Sequence, residues 1–192
     1  MTEFSAPIAR QSFVKQMPIS FRPLALSDID DFHVWLNRPH LRRFYQRKPI
    51  SREEVEAEYG PCIRGEDPTH CHLALFDGEP FGYIQCYRIP DYPEWADLIE
   101  SHDGIGVDLA ILDPAMLGRG FGRAMLDRYL RDVAFPLFPT EHRCFVAHEV
   151  ENHTAIACSR AVGFEIVGPF VEEGFPSLLF VLDRDKWADS RG

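Results

Sequence analysis

The chain has 192 residues, 45% of them hydrophobic, and a formal net charge of −10 at pH 7. That length suits one domain with a sizeable core, and the acidity excludes the basic face that a nucleic-acid partner requires. With no apolar run near the roughly 18 residues of a membrane span and no h-region at the start, a soluble, cytoplasmic protein with no membrane partner is expected. Five cysteines, Cys62, Cys71, Cys86, Cys144 and Cys158, are odd in number and form no CxxC pair. They read as reduced thiols rather than a disulfide framework or a thiolate metal site.

Residues 1–17 show no periodicity and are expected to form a flexible arm, leaving a single domain over 18–192. "PISFRPLAL" reads as a first strand before the helix-start signal Ser27-Asp28. Ile29, Phe32 and Leu36 then recur at helical spacing, and a second helix is capped by Ser51 with Glu54 and expected to stop at Gly60-Pro61. "HCHLALF-DGEP-FGYIQCYRI" predicts a hairpin turning at Asp77-Gly78. His70 and His72 share a face of that hairpin but lack further ligands at metal spacing, and "HEVEN" fails HExxH at Asn152, so no metal is expected.

From Ile89 to Gly118 there are seven acids (Asp91, Glu94, Asp97, Glu100, Asp103, Asp108, Asp113) and no lysine or arginine. Such a block is either a solvated loop or an attraction for a cationic ligand. In the second case Glu100, Asp103 and Asp108, with Tyr87 and Trp95 beside them, are candidates for contact with an amine. "GIGVDLAIL" predicts a strand running into "LGRGFGRAML", where Gly118, Gly120 and Gly122 open a helix carrying Phe121, Met125, Tyr129 and Val133 at four-residue intervals and ended by Pro136. Arg123, Asp127 and Arg131 form a charge ladder on that helix. "RCFVAHEV" is a strand, "NHTAIACSRAVGF" a helix closed by Gly163, and "EIVGPFV" with "SLLFVLD" a final antiparallel pair. A glycine loop between a strand and a helix offers unpaired amides and the positive end of a helix dipole, which suits a phosphate or simply a tight turn. Its spacing is neither GxxxxGK[ST] nor GxGxxG.

"LGRGFGRAML" resembles the acetyl-CoA loop of the GNAT superfamily of N-acetyltransferases, and "ENHTAIACSRAVGF" resembles its second coenzyme motif. Over Ile19 to Asp183 the segments "FRPL", "WLNRPH", "DGEPFGYIQCY" and "GVDLAI…LGRGFG" are similar to aminoglycoside 6′-N-acetyltransferases and to relatives acting on lysine-like siderophore precursors. The resemblance implies an α/β fold with a mixed, mostly antiparallel sheet, a splayed central parallel pair and helices on both faces. It implies acetyl-CoA as co-substrate, its pyrophosphate on the amides of Gly118, Arg119, Gly120, Phe121, Gly122 and Arg123. The pantetheine arm would lie on main-chain groups of Leu109, Ala110 and Ile111, with Asn152 on its other side. Asp108 would bind the acceptor amine and act as its base. Ser159 stands where many members carry a tyrosine that protonates the departing thiolate, and a second aspartate of related enzymes falls near Ala147, beside His148 and Glu149, which are possible substitutes. The expected activity is acetylation of a primary amine on a polycation such as an aminoglycoside, by a monomer or homodimer. The alternatives are acylation of a lysine-like or protein amine, and a catalytically silent acyl-CoA-binding module.

Overall fold

The computed structural model describes residues 18–190, so the arm expected over 1–17 lies outside the described residues. Seven strands form one sheet: β1 (Ile19–Pro23), β2 (His70–Phe76), β3 (Glu79–Arg88), β4 (Ile105–Ile111), β5 (Arg143–Glu149), β6 (Glu165–Glu172) and β7 (Phe175–Asp183). Their order is β1-β2-β3-β4-β5-β7-β6. Every neighbouring pair is antiparallel except β4 and β5. The β2–β3 hairpin turns on Asp77 (φ 51°) and Gly78 (φ 87°), the left-handed pair that a two-residue turn demands.

The parallel pair is short. Only Ile105 with Cys144 and Gly106 with Phe145 are in register, after which β4 runs on to Ile111 and β5 to Glu149 without pairing with each other. The sheet therefore opens into a wedge between its two central strands, as the resemblance implied.

Helices cover both faces. α1 (Ile29–Leu36) and α2 (Arg52–Arg64) pack Ile29, Phe32, Leu36, Val55 and Tyr59 against Leu73, Tyr83, Ala110 and Leu112. α3 (Pro93–Leu98) lies on the same face, with Ala96 and the following Ile99 against Phe145 and Leu179. The opposite face carries α4 (Phe121–Tyr129), α5 (His153–Val162) and α6 (Arg184–Asp189), which bury Met125, Leu126, Val162 and Trp187 over Ile84, Ile105 and Val107. Each fully buried side chain of this size contributes about 1.5–3 kcal/mol.

Two expectations need correction. α2 does not stop at Gly60-Pro61: Pro61 removes one helical donor, yet the helix runs another turn and closes at Gly65 (φ 72°), whose N–H reaches the carbonyls of Pro61 and Cys62. α4 does not end at Pro136 either, because the chain passes through a π-helical turn over Leu130–Ala134 and stays helical to Leu137. The wider turn relieves the clash between a proline ring and the carbonyl four residues back. Within the acidic stretch, α3 forms and anchors through Ala96 and Ile99, while Asp91, Glu94, Asp97, Glu100 and Asp103 are exposed.

Candidate active site in the wedge

Backbone alternation decides what the wedge offers. Leu112 donates its N–H to Phe81 on β3 at 2.8 Å, so Ala110 and Asp108 also turn their main-chain groups to β3, while those of Leu109 and Ile111 face the open side. His40 Nε2 lies 2.9 Å from the Ile111 carbonyl and Arg38 Nη1 donates to the Leu112 carbonyl at 2.8 Å, which pins the segment after α1 to this end of β4. Asn37 closes the same segment, donating to the Ile50 carbonyl at 2.8 Å and accepting from its N–H at 3.2 Å.

The glycine loop follows directly. Gly118 (φ 69°) and Gly120 (φ 89°) are both left-handed, and Gly120 is the N-cap of α4. A glycine cap has no side chain to bond the first-turn amides, and helical bonding begins only where Ala124 donates to the Gly120 carbonyl at 3.0 Å. The amides of Phe121, Gly122 and Arg123 are thus left at the positive end of the helix dipole, a fit for an anionic group. The Phe121 ring is in the core against Phe76 and Phe81, whereas Arg119 is exposed and Arg123 half-buried. A Cβ on Gly122 would meet Cys158 of α5 at 3.6 Å, so the two helices pack side by side. Burial pushes the Cys158 thiol up to about 12, so it remains protonated. Asn152 caps α5, the helix that follows β5, its side chain accepting from the Ala155 N–H at 3.3 Å.

The residues named as chemically active separate onto the two faces. On the helix face of α4 and α5, His148 Nε2 and the buried Ser159 Oγ are 2.7 Å apart. Burial pushes His148 down to about 4, so the imidazole is neutral at pH 7. On the face of α1 to α3, Asp108 is half-buried and accepts from Gln85 Nε2 at 2.9 Å. Burial raises its carboxyl above the usual range and the Gln85 bond partly offsets this. Glu149 belongs with Asp108, not with its neighbour His148, because successive strand residues point to opposite faces. Arg47 pairs with Glu149 and lies 3.8 Å from the Phe175 ring centre.

Glu172, which the sequence did not single out, completes this face together with Tyr45 and the expected Tyr87 and Trp95. Glu172, at the end of β6, is pushed up to about 7 by burial and by the charges of Asp108, Glu173 and Glu149. Tyr45 sits deep beside Asp108, and its phenol is raised well above the usual range by burial and by the neighbours Tyr59 and Asp108. Tyr87 lies over β4, its ring 4.9 Å from that of Tyr92. It can do so because Gly106 lacks a Cβ, which would stand 2.3 Å from the Tyr87 ring. Trp95 packs against Phe170 at 5.8 Å, at the edge of the same surface. The structure does not bring Glu100 and Asp103 to Asp108. Asp103 pairs with Arg143, the first residue of β5, at the closed end of the parallel pair. Among the described residues no cluster of three or more histidine, cysteine or carboxylate groups could hold a metal, and no helix is long and apolar enough to cross a membrane.

Comparison with known proteins agrees with this architecture. The chain is 24% identical over 182 residues to aminoglycoside N(6′)-acetyltransferase type 1 of Klebsiella pneumoniae, covering 90% of this chain and 87% of the relative. It is 28% identical over 141 residues to lysine N-acyltransferase MbtK of Mycobacterium tuberculosis, 66% of this chain and 58% of that one. The structure of AAC(6′)-Ib in complex with ribostamycin and coenzyme A superposes with a TM-score of 0.75 at 22% identity, covering 91% of this chain and 98% of that one. The acetyltransferase (GNAT) domain family matches residues 25–171, and the chain belongs to that family of acetyltransferases.

Proposed function

We propose that the protein transfers the acetyl group of acetyl-CoA to a primary amine carried by a polycationic small molecule. The observation that carries this reading is the wedge itself, with an uncapped helix start on one side and a carboxylate group on the other. The pyrophosphate would lie on the amides from Gly118 to Arg123, and the pantetheine arm along the outward main-chain groups of Leu109 and Ile111, facing Asn152. The thioester then lies between the strands and is reachable from both faces.

An acceptor ammonium is drawn to Asp108, Glu149 and Glu172 and loses one proton to solvent. The neutral nitrogen attacks the thioester carbon, a C–N bond forms, and Asp108 takes the second proton. The C–S bond breaks and the electron pair leaves on sulfur toward the helix face. There Ser159 donates a hydrogen bond to the thiolate while His148 Nε2–H supports the serine oxygen, and water supplies the proton that yields free coenzyme A. Ser159 thus takes over the stabilising part of the tyrosine's role. Tyr87 and Trp95 wall the acceptor surface.

Thiol release from acetyl-CoA against ribostamycin, spermidine, lysine and a lysine-bearing peptide tests the reading. Turnover highest with the polycations is expected. Lysine turning over best would move the acceptor toward the MbtK-like class, and release with none of them would leave an acyl-CoA-binding module.

A further inference from the structure

We infer that Gln85, held by Tyr83, is the positioning residue that sets the orientation and ionisation of Asp108; the inference rests on the acetyl-transfer reading. The three side chains are linked by geometry. Gln85 and Asp108 are register partners across β3 and β4, and Cys71 is the partner of Gln85 across β2 and β3, so a polar row crosses three central strands at one level. Tyr83, two residues before Gln85 on β3, shares that face and is fully buried. Its ring is wedged between Phe32 at 4.9 Å and Tyr59 at 5.7 Å, with Tyr45 at 6.2 Å.

Tyr83 has one hydroxyl proton and two neighbours, Gln85 Oε1 at 2.6 Å and Cys71 Sγ at 3.0 Å. The amide oxygen is the better acceptor and takes it. That choice fixes the amide: with Oε1 on the tyrosine, Nε2 must face Asp108, where it donates to Oδ2 at 2.9 Å. The opposite rotamer would set an amide oxygen against a carboxylate. Each donor in the row therefore points toward Asp108 and favours its anion, and Oδ1 is left to take a proton. Tyr45 from the segment after α1, Tyr87 from β3 and Glu172 from β6 lie on the same face as the carboxylate, while Cys144 of β5 lies on the opposite face of the sheet. Burial opposes the charge of Asp108, and the Gln85 bond is the counterweight that favours the anion.

The test uses Gln85→Met, which keeps length and removes the amide, Gln85→Glu, which adds a second acid, and Tyr83→Phe, which keeps the ring and frees the amide. Carbon-13 NMR titration of the aspartate carboxyls, with Asp108→Asn identifying the signal, reads Asp108 without any turnover. Its titration should rise by about one pH unit in Gln85→Met, more in Gln85→Glu and less in Tyr83→Phe. The acid limb of kcat/KM for ribostamycin should move up by the same amount, with KM for acetyl-CoA unchanged. A purely structural role would lower Tm and leave both curves in place. Native titration of Asp108 in folded Gln85→Met and Tyr83→Phe overturns the inference. A shifted titration in a protein that acetylates no amine keeps the Gln85 assignment and rejects the acetyl-transfer reading.

Discussion

Ser159 and Glu172 show how burial assigns work to single side chains. Ser159 has no acidity of its own to offer a thiolate, and its partner His148 is neutral at pH 7 because burial holds it near 4. In the proposed reaction the hydroxyl therefore contributes a hydrogen bond rather than a free proton. Ser159→Ala should lower kcat by roughly tenfold, the value of one bond to a charged group, with KM for the amine unchanged. A loss of 10³-fold or none at all would assign Ser159 a different part. Glu172, raised to about 7, is mostly protonated at pH 6 and mostly ionised at pH 8. Since only the ionised form attracts an ammonium, KM for a polycation should fall as pH rises through 7, and Glu172→Gln should flatten that dependence. The sign for stability is opposite: the raised folded value means that the native state holds a proton the unfolded chain has released. Stability from this group therefore declines as pH rises from the ordinary glutamate range toward 7.

The elements explain which parts of the site could be read along the chain. Caps and turns are local, so the glycine loop, the Gly163 end of α5, the Ser51-Glu54 capping box and the Asp77-Gly78 turn were all legible from a few neighbouring residues. Gly118→Ala, forced into a left-handed conformation, should cost about 1–2 kcal/mol and weaken acetyl-CoA binding, as a thermal-shift titration would read. Gly106→Ala should cost about 1–3 kcal/mol by driving Tyr87 off β4, and should raise KM for the amine more than for acetyl-CoA. Equal effects on both would remove Tyr87 from the acceptor side. What escaped the sequence is non-local. Glu172 follows Asp108 by a strand, two helices and another strand, and β5 and β7 lie between β6 and β4 in the sheet, so its electrostatic coupling to Asp108 arises only in the folded chain. Gln85 was visible as a strand residue, but its bond to Asp108 depends on the β3–β4 register. Conversely Glu100 and Asp103 are near Asp108 in sequence yet lie toward the closed end of β4, because a strand carries its residues steadily away from one another at about 3.3 Å each.

For the whole molecule, a net charge of −10 gives every cation a general attraction, and the carboxylates at the wedge concentrate it. Raising salt from about 0.01 M to about 0.1 M shortens the screening length from about 30 Å to about 10 Å, so KM for ribostamycin or spermidine should rise several-fold while KM for a singly charged amine changes little. Equal responses would mean that the protein does not select by charge. The sheet places Asp108 on one face and Ser159 on the other, and the proposed mechanism divides the work accordingly, with Asp108 as base, Ser159 stabilising the thiolate and the thioester between them. The comparison of Asp108→Asn with the unsubstituted protein tests it most directly, by measuring acetyl-CoA affinity and thiol release with ribostamycin on the same samples. The account predicts unchanged acetyl-CoA binding with kcat lowered by roughly 10² to 10⁴. Native kcat in the Asp108→Asn protein, or loss of acetyl-CoA binding with it, would contradict the account.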